Sequence, residues 1–192
     1  MNLGSKGFMA ALEPEHMQLI VKAAAGEYTV SRRMMLDIEL ERGGEIIYRD
    51  KALNDVVLHG YGDCIRLTAW CAGDRITSFS GDGIILSTPT GSTGYSMSAG
   101  GPIVEPEASA IIVSPICAHM MSARSYVLSA SHDVSVLAEK LHGRRAYISV
   151  DGNSVMDLTN GDLLRVRRSE RCILMADMGL KSFFDLAFEK LT

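Results

Sequence analysis

Residues 81–102 read GDGIILSTPTGSTGYSMSAGGP. A Gly-Asp-Gly turn leads into a short apolar strand, and small or hydroxyl residues then follow over residues 87–98, around Tyr95. A core segment would carry large apolar residues at the period of a strand or a helix. This segment instead offers hydroxyls and backbone that another molecule can approach closely, which is typical of a binding surface.

Strand-like patterns surround this segment and recur about every ten residues along the chain. Apolar and polar residues alternate from Leu36 to Glu41, and Gly43-Gly44 then marks a hairpin turn. Further strand candidates are residues 45–49, 52–58, 65–71, 76–79, 84–86, 111–113, 126–128, 134–137, 145–150, 163–167 and 172–175. This spacing predicts a mainly β protein, an antiparallel β-sandwich-like domain of two sheets.

Helix patterns occur near both ends of the sequence. Residues 13–25 place Pro14 at the first helical position and present an apolar face on one side. That face consists of Met17, Ile20, Val21 and Ala24. Residues 180–191 predict a closing helix, with Phe184, Ala187 and Leu191 on one face. No linker or internal repeat divides the sequence, so we predict one domain over residues 1–192.

The composition is that of an ordinary globular protein, with 47% hydrophobic and 22% charged residues among 192. A formal net charge of -4 and the lack of a basic block argue against a nucleic-acid partner. The sequence has no run of roughly 18 apolar residues that could span a membrane. It also has no signal-peptide pattern at its start. We therefore expect no membrane partner and a cytoplasmic location.

The cysteines lie in or beside apolar runs and form no Cys-x-x-Cys pair, which favours buried free thiols of a cytosolic protein. They are Cys64, Cys71, Cys117 and Cys172. His119 follows Cys117 by two residues, but no second pair has the spacing of zinc ligands. A hydrogen-bonded loop histidine is therefore favoured over a metal ligand, and we predict no metal-binding residue.

Two polar motifs interrupt apolar stretches. Asn54-Asp55 lies inside ALNDVVL, where such a pair can cap a turn at a strand end. It can also present an amide and a carboxylate to a ligand, since a carboxylate accepts hydrogen bonds from the neighbouring hydroxyls of a ribose. Asp82 suits a hairpin turn between its two glycines. Neither the GxxxxGK(S/T) nor the GxGxxG spacing occurs there, so a phosphate-binding loop is disfavoured.

Hydroxyl residues crowd the segment around Tyr95, namely Thr90, Ser92, Thr93, Ser96 and Ser98. Solvated loop hydroxyls are one interpretation, but an aromatic ring among them gives a flat base a surface to lie against and favours a site. The G-x-S-x-G motif is absent, so a serine nucleophile is unsupported. The arginine clusters 144–145 and 165–168 suit solvated strand faces, with phosphate contacts as the alternative.

The sequence resembles the bacterial NAD kinases, which make NADP from NAD with ATP or polyphosphate. The matching stretches are NLGSKGFM, RRMMLDIEL, ALNDVV, GDGIILSTPTGSTGYSMSAGGPIVEP, SPICAHMMSAR and ISVDGN. They follow the order of the family and span nearly the whole chain. The resemblance implies NAD and NADP as substrate and product. It also implies ATP or polyphosphate as the phosphate donor, with Mg²⁺ as the divalent metal.

The resemblance also assigns residues to the dinucleotide site. It implies that Asn54 and Asp55 hold the adenosine of NAD, with the carboxylate on the ribose. It implies that Asp82 approaches the dinucleotide in a neighbouring subunit's site. The hydroxyl loop on the adenine side corresponds to Thr90, Thr93, Gly94, Tyr95 and Ser98. The remaining NAD-binding positions implied in this way are Phe8, Cys117, His119, Asp151 and Gly152.

One large departure separates this sequence from the family pattern. Gly94 and Ala118 replace a common alanine and a common proline, which changes only local shape. The Gly-Gly-Asp-Gly motif, however, does not occur in the sequence. In the family it lies in an N-terminal α/β domain, and its aspartate is the expected base toward the ribose 2'-hydroxyl. We therefore expect a dinucleotide-binding domain with no catalytic residue of its own. Residues 1–27 are then a remnant that joins the N-terminal domain.

Two alternatives to a kinase domain stay open. A non-catalytic NAD(P)-binding or sensor module would use the same site residues. A lipid kinase relative would share the fold, but it would favour an apolar groove over a hydroxyl-rich loop. We expect an oligomer, either a homodimer or a homotetramer, because the NAD kinase family shares its sites between subunits. The methionine pairs Met34-Met35 and Met120-Met121 suit either core filling or an interface.

Overall fold

Antiparallel strands form most of the chain in the computed structural model, which describes residues 16–120 and 123–191. The strands are β1 (Thr29–Arg42), β2 (Glu45–Ala52), β3 (Asp55–Gly60), β4 (Ile65–Cys71), β5 (Asp74–Gly81), β6 (Gly83–Ser87), β7 (Ala110–Ile116), β8 (Tyr126–Ser129), β9 (Val134–Glu139), β10 (Ala146–Val150), β11 (Asn153–Leu158) and β12 (Leu163–Asp177). The helices are α1 (Leu19–Ala24), α2 (Tyr95–Ser98) and α3 (Phe183–Leu191), and a 3-10 turn covers Thr90–Thr93.

The strands form two six-stranded sheets. The first sheet has the order β2-β1-β12-β9-β4-β5, and the second has the order β11-β10-β3-β6-β7-β8. Neighbouring strands are antiparallel throughout both sheets. The prediction of a mainly β domain with two antiparallel sheets is confirmed.

The alternation of apolar and polar residues determines which face of each sheet is buried. On β1, Leu36, Ile38 and Leu40 are at most 1% exposed, while the acidic residues between them are partly exposed. Val56 and Leu58 of the second sheet belong to the same core cluster. Burying one such side chain fully stabilises a fold by roughly 1.5–3 kcal/mol. This shared core therefore holds the two sheets together face to face.

The two longest strands, β1 and β12, pair along most of their length. The sequence pattern predicts two strands at residues 163–167 and 172–175, whereas the structure shows one continuous strand. The register shifts between Met34 and Leu36 of β1. This irregularity lets β12 continue through a polar middle that interrupts its apolar alternation. The pattern also missed β11, an edge strand whose side chains are mostly exposed or half-buried.

The two end helices are shorter than predicted. Helix α1 begins at Leu19, and residues 13–15 of the predicted helix lie outside the described residues. Helix α3 begins at Phe183. Large apolar side chains near both helices are exposed, including Met17, Ile20, Val21 and Phe184. These faces therefore do not contribute to the core of the two sheets. None of the described helices is long and apolar enough to cross a membrane.

All four cysteines are free, but their burial differs. Cys71 is buried, Cys64 and Cys172 are half-buried, and Cys117 is exposed. The prediction of buried thiols is therefore right only for Cys71, which lies on the inner face of β4. Cys117 follows the end of β7, and Cys172 lies in the part of β12 where side chains are mostly exposed.

Candidate functional site

The chain crosses from the first sheet to the second at Asp82. Strand β5 pairs with β4 in the first sheet, and β6 pairs with β3 and β7 in the second. The hairpin turn predicted there is therefore wrong, because Gly81 and Gly83 belong to different sheets. A Cβ on Gly83 would lie 2.3 Å from the Leu58 carbonyl oxygen. Glycine thus permits the close approach to β3 that brings Asp82 beside the second sheet.

Asn54 precedes β3 and Asp55 is its first residue, so the pair belongs to the turn between β2 and β3, which we call the Asn54-Asp55 turn. Three successive N–H groups of the turn donate to the Asp151 carboxylate, from Leu53 at 2.8 Å, Asn54 at 2.7 Å and Asp55 at 3.1 Å. The Asp151 N–H donates back to the Asp55 carbonyl oxygen at 2.9 Å. Asp151 itself lies in the β10–β11 turn. The β10–β11 turn therefore fixes the backbone of the pair.

The segment after β6 fixes the same turn from another side. The Thr88 N–H donates to the Asn54 carbonyl oxygen at 2.8 Å, and Thr88 Oγ1 donates to the Leu53 carbonyl oxygen at 2.6 Å. A Cβ on Gly91 would lie 2.2 Å from the Asn54 carbonyl oxygen and 2.8 Å from the Asn54 Cα. Only glycine lets the 3-10 turn pack this closely against Asn54.

The hydroxyl residues of this segment divide into two groups. Ser92 Oγ donates to a backbone carbonyl oxygen at 2.7 Å, and the Oγ atoms of Ser96 and Ser114 are 2.9 Å apart, so these serines stabilise local structure. In contrast, Ser87 Oγ and Thr90 Oγ1 are buried and have no hydrogen-bond partner within the described chain. A buried hydroxyl without a partner costs roughly 1–3 kcal/mol. These two atoms therefore mark a place that favours a polar ligand.

Ser87 begins the hydroxyl-rich segment at residues 87–98, but the sequence pattern did not single it out as a site residue. It lies directly opposite Asp55 in the pairing of β6 with β3. Residues directly opposite each other in antiparallel strands place their side chains on the same face of the sheet. Ser87 is 0% exposed and Asp55 is 7% exposed. Only the register between two strands that are distant in sequence brings this hydroxyl next to the carboxylate.

The Asp55 carboxylate is buried and accepts no hydrogen bond from the residues that the structure describes. Its burial and, second, the negative charge of Asp151 raise the pKa of Asp55 from 3.8 to about 6. Desolvation and a like charge both disfavour the ionised form. At neutral pH Asp55 therefore holds a charge that lacks the donors a buried carboxylate normally has.

A row of aromatic rings extends from Tyr95 across the outer face of the second sheet. The ring centroids of Tyr95 and His59 are 5.4 Å apart, those of His59 and Tyr147 are 5.1 Å apart, and those of Tyr147 and Tyr61 are 4.5 Å apart. The Arg145 guanidinium lies 4.5 Å above the Tyr61 ring and ends the row. Burial lowers the pKa of His59. Tyr95 is 40% exposed, so it offers ring surface to a planar ligand.

The loop after β7 reaches one edge of this site. Cys117 has a φ of 45° and an exposed thiol, and a hydrogen bond with the Asp82 carboxylate raises the pKa of that thiol. The His119 N–H donates to the Ser80 carbonyl oxygen at 2.9 Å. The His119 ring instead contacts Cys64, with Nδ1 3.8 Å from Sγ. The structure thus brings Cys117 to Asp82 and gives His119 a structural contact.

The other predicted positions are less closely tied to the Asn54-Asp55 turn. Gly94 precedes α2 and Ser98 ends it, and both residues are exposed. Thr93 is half-buried, and Gly152 is exposed in the β10–β11 turn. Phe8 lies outside the described residues. The roles of these residues in binding stay predictions.

Two clefts of about 410 and 430 Å³ lie along β1 and β12 and contain no residue predicted to bind the dinucleotide. Two of the arginines there have protein partners. Arg168 donates to Ser109 Oγ at 3.0 Å, and Arg167 lies 3.7 Å from Asp37. Within the described residues, no group of three or more histidine, cysteine, aspartate and glutamate side chains could hold a metal ion.

A family model described as the ATP-NAD kinase C-terminal domain matches residues 31–177. The chain is 37% identical over 194 residues to the NAD kinase of Geobacter metallireducens, covering 99% of this chain and 68% of that protein. It is also 37% identical over 188 residues to the NAD kinase of Acetivibrio thermocellus, covering 96% of this chain and 65% of that protein. The chain thus spans about two thirds of the length of these relatives.

Two solved structures share the fold. Yeast NADH kinase complexed with NADH has a TM-score of 0.89 at 28% identity, over 98% of this chain and 58% of that chain. An NAD kinase from Archaeoglobus fulgidus in complex with ATP has a TM-score of 0.79 at 27% identity, over 100% of this chain and 72% of that chain. Because the family model matches most of its length, this chain belongs to the NAD kinase family and comprises the C-terminal domain of that family.

Proposed function

We propose that this chain supplies the dinucleotide-binding half of a cytoplasmic NAD kinase, which phosphorylates the 2'-hydroxyl of the adenosine ribose of NAD to give NADP. The observation that carries this proposal is the buried Asp55 carboxylate, which lies opposite the unpartnered Ser87 hydroxyl and accepts no hydrogen bond from the described residues. A ribose offers adjacent hydroxyl donors that would complete the hydrogen bonds of this carboxylate. The yeast NADH kinase complex with NADH supports a dinucleotide as the ligand.

Binding of the adenosine half follows from the surroundings of Asp55. The ionised carboxylate accepts the ribose hydroxyls, and Asn54 lies beside it in the same turn. The unpartnered Thr90 hydroxyl and the exposed Tyr95 ring then serve the adenine side, together with Thr93. In a homodimer or homotetramer, Asp82 at the sheet crossover would approach a neighbouring subunit's dinucleotide.

The phosphoryl transfer needs groups that these residues do not supply. No Gly-Gly-Asp-Gly occurs in the 192 residues, so the base and the binding loop for ATP or polyphosphate must come from another part of the enzyme. The complex of the Archaeoglobus enzyme with ATP supports ATP as donor. The described residues contain no cluster of side chains that could hold Mg²⁺, and we assign no step in this chain to a metal. The role of this chain is to hold the acceptor hydroxyl in position, on which phosphoryl transfer strongly depends.

Calorimetric titration with NAD tests the role of Asp55. We expect Asp55→Ala to weaken NAD binding roughly 100-fold, because each hydrogen bond to a charged group contributes about 1.5–3 kcal/mol. Asp37→Ala is the matched control, since Asp37 lies on the outer face of the first sheet and pairs with Lys51. Wild-type affinity in Asp55→Ala would contradict the ribose-binding role.

An activity assay separates the kinase from a non-catalytic sensor. We expect the 192-residue protein to form no NADP from NAD and ATP. A normal rate from this protein would show that the chain is not merely the acceptor-binding half. If the complete coding sequence supplies a Gly-Gly-Asp-Gly segment, we expect the complete protein to form NADP. Binding of NAD without NADP formation by that protein would favour the sensor.

A further inference from the structure

The Asp151 carboxylate accepts hydrogen bonds from the protein backbone. A carboxylate has roughly four acceptor sites, and three N–H groups already donate to Asp151, from Leu53, Asn54 and Asp55. The three distances lie between 2.7 and 3.1 Å. Successive backbone N–H groups in a turn form a concavity that favours an anion. Asp151 fills this concavity from the neighbouring β-turn.

The backbone conformation of Asp151 is adapted to this contact. Its φ is 45°, a left-handed conformation that aspartate tolerates better than most residues. The Asp151 N–H also donates to the Asp55 carbonyl oxygen at 2.9 Å. The contact therefore runs in both directions between the β10–β11 turn and the start of β3. On the opposite side, Thr88 and Gly91 pack on the Asn54 backbone, so the turn is held between two separate segments.

We infer that Asp151 is a positioning residue, which holds the Asn54-Asp55 turn ready for the ribose and does not itself contact the dinucleotide. This inference rests on the proposed function for its ligand, and it assigns to Asp151 a contact with the protein in place of a contact with NAD. Hydrogen bonds from N–H groups to an ionised acceptor are stronger than those to a neutral one. The charge of Asp151, and not only its shape, therefore stabilises the turn.

The same charge tunes the ionisation of Asp55. Asp151 approaches Asp55 from the β10–β11 turn, Tyr95 lies near it on α2, and Ser87 faces it from β6. After burial, Asp151 is the further cause that raises the pKa of Asp55. Asp151→Asn removes this charge, so Asp55 becomes easier to ionise. If only ionised Asp55 accepts the ribose hydroxyls, NAD affinity then persists to lower pH in this variant.

Two measurements on the 192-residue protein test the inference. The first is amide hydrogen exchange at Leu53, Asn54 and Asp55 without ligand. We expect this exchange to speed up about tenfold or more in Asp151→Asn. About 1.4 kcal/mol of lost protection corresponds to a factor of ten in the exchange rate. The second is the pH dependence of NAD affinity by calorimetry. In wild type we expect affinity to fall as the pH drops through about 6, the pKa of Asp55. In Asp151→Asn we expect about tenfold weaker NAD binding at pH 7.5. We also expect the decrease in NAD affinity to occur at a lower pH than in wild type.

Asp74→Asn is the matched control, because it removes one negative charge from the exposed start of β5. We expect wild-type exchange and wild-type pH dependence in this control. Wild-type exchange at residues 53–55 in Asp151→Asn would overturn the positioning role. Weaker binding with an unmoved pH dependence would also overturn it, since a carboxylate that lies against the Asn54-Asp55 turn must affect the ionisation of Asp55. If wild type binds no NAD, the proposed function fails, while the exchange measurement still decides the role of Asp151.

Discussion

Asp162 and Asp55 are both buried aspartates, and they use their carboxylates in opposite ways. Asp162, in the β11–β12 turn, is 1% exposed and accepts hydrogen bonds from Arg42 Nε and Nη2 and from the N–H and Oγ1 of Thr159, at 2.7 to 2.9 Å. Asp55, at the start of β3, is 7% exposed and accepts none from the described residues. One carboxylate is fully satisfied by its own chain, and the other is not.

The pKa values of the two carboxylates follow from this difference. Burial disfavours ionisation of Asp162, but the hydrogen bonds from Arg42 and Thr159 outweigh burial and lower the pKa of Asp162. At Asp55, burial and the charge of Asp151 act in the same direction and raise the pKa to about 6. Burial alone therefore does not separate a structural carboxylate from one that is proposed to bind a ligand. The presence or absence of hydrogen-bond donors separates the two carboxylates.

The largest expected effect is at the satisfied carboxylate. We expect Asp162→Ala to lower the free energy of unfolding at pH 7 by about 3 kcal/mol, because the variant leaves Arg42 and the Thr159 N–H without their acceptor. Because Arg42 is partly exposed, we expect a loss of unfolding free energy at the low end of the range for breaking a buried ion pair. Urea unfolding measures it. A loss as small as that of an exposed aspartate would show that the pair contributes little.

At Asp55 we expect the opposite effect on stability, because substitution of this carboxylate should stabilise the ligand-free protein. Its pKa of about 6 lies above the unfolded value of 3.8. The stability that Asp55 contributes is therefore present below pH 3.8 and is lost as the pH rises through about 6. We expect Asp55→Asn to stabilise the ligand-free protein by about 2–3 kcal/mol at pH 7.5 and to have little effect near pH 4. Thermal unfolding across this pH range measures the difference. Equal stabilisation at both pH values would contradict the raised pKa.

A third comparison tests the close packing that supports the Asn54-Asp55 turn. We expect Gly91→Ala to lower stability by about 2 kcal/mol and to weaken NAD binding, because the added Cβ would overlap the Asn54 backbone. Gly94→Ala is the matched control for the stability measurement, since its Cβ would meet only the Gly91 carbonyl oxygen, at 3.3 Å. Equal losses from both substitutions would show that the contact with Asn54 is not the cause.

The smallest effect concerns the hydroxyl opposite Asp55. We expect Ser87→Ala to stabilise the ligand-free protein by about 1 kcal/mol, because the change removes a buried hydroxyl that has no partner. NAD binding should weaken by a similar amount if the ligand satisfies Ser87 Oγ. Chemical unfolding with and without NAD measures both changes. A destabilised ligand-free variant would indicate that Ser87 has a partner in the free protein.

The sequence predicts the parts of this site that depend on local pattern. Alternation along β1 predicts its buried face, and Asn54-Asp55 stands out because it interrupts an apolar run. The crossover at Asp82 was missed, because a local Asp-Gly pattern indicates a turn without revealing which sheet the next strand joins. The proximity of Ser87 to Asp55, and of Asp151 to the same turn, depends on pairing between distant strands. No local pattern contains that information.

The pairing of β1 with β12 has a consequence for folding kinetics. Thr29 lies opposite Asp177, 148 positions further along the chain. The β4–β5 pairing, by contrast, joins strands that follow each other directly. Closing a long loop has an entropic cost that no local contact offsets in advance. The strands that tie the first sheet together are therefore expected to pair late, so that the hairpins form first and the β1–β12 pairing completes the domain.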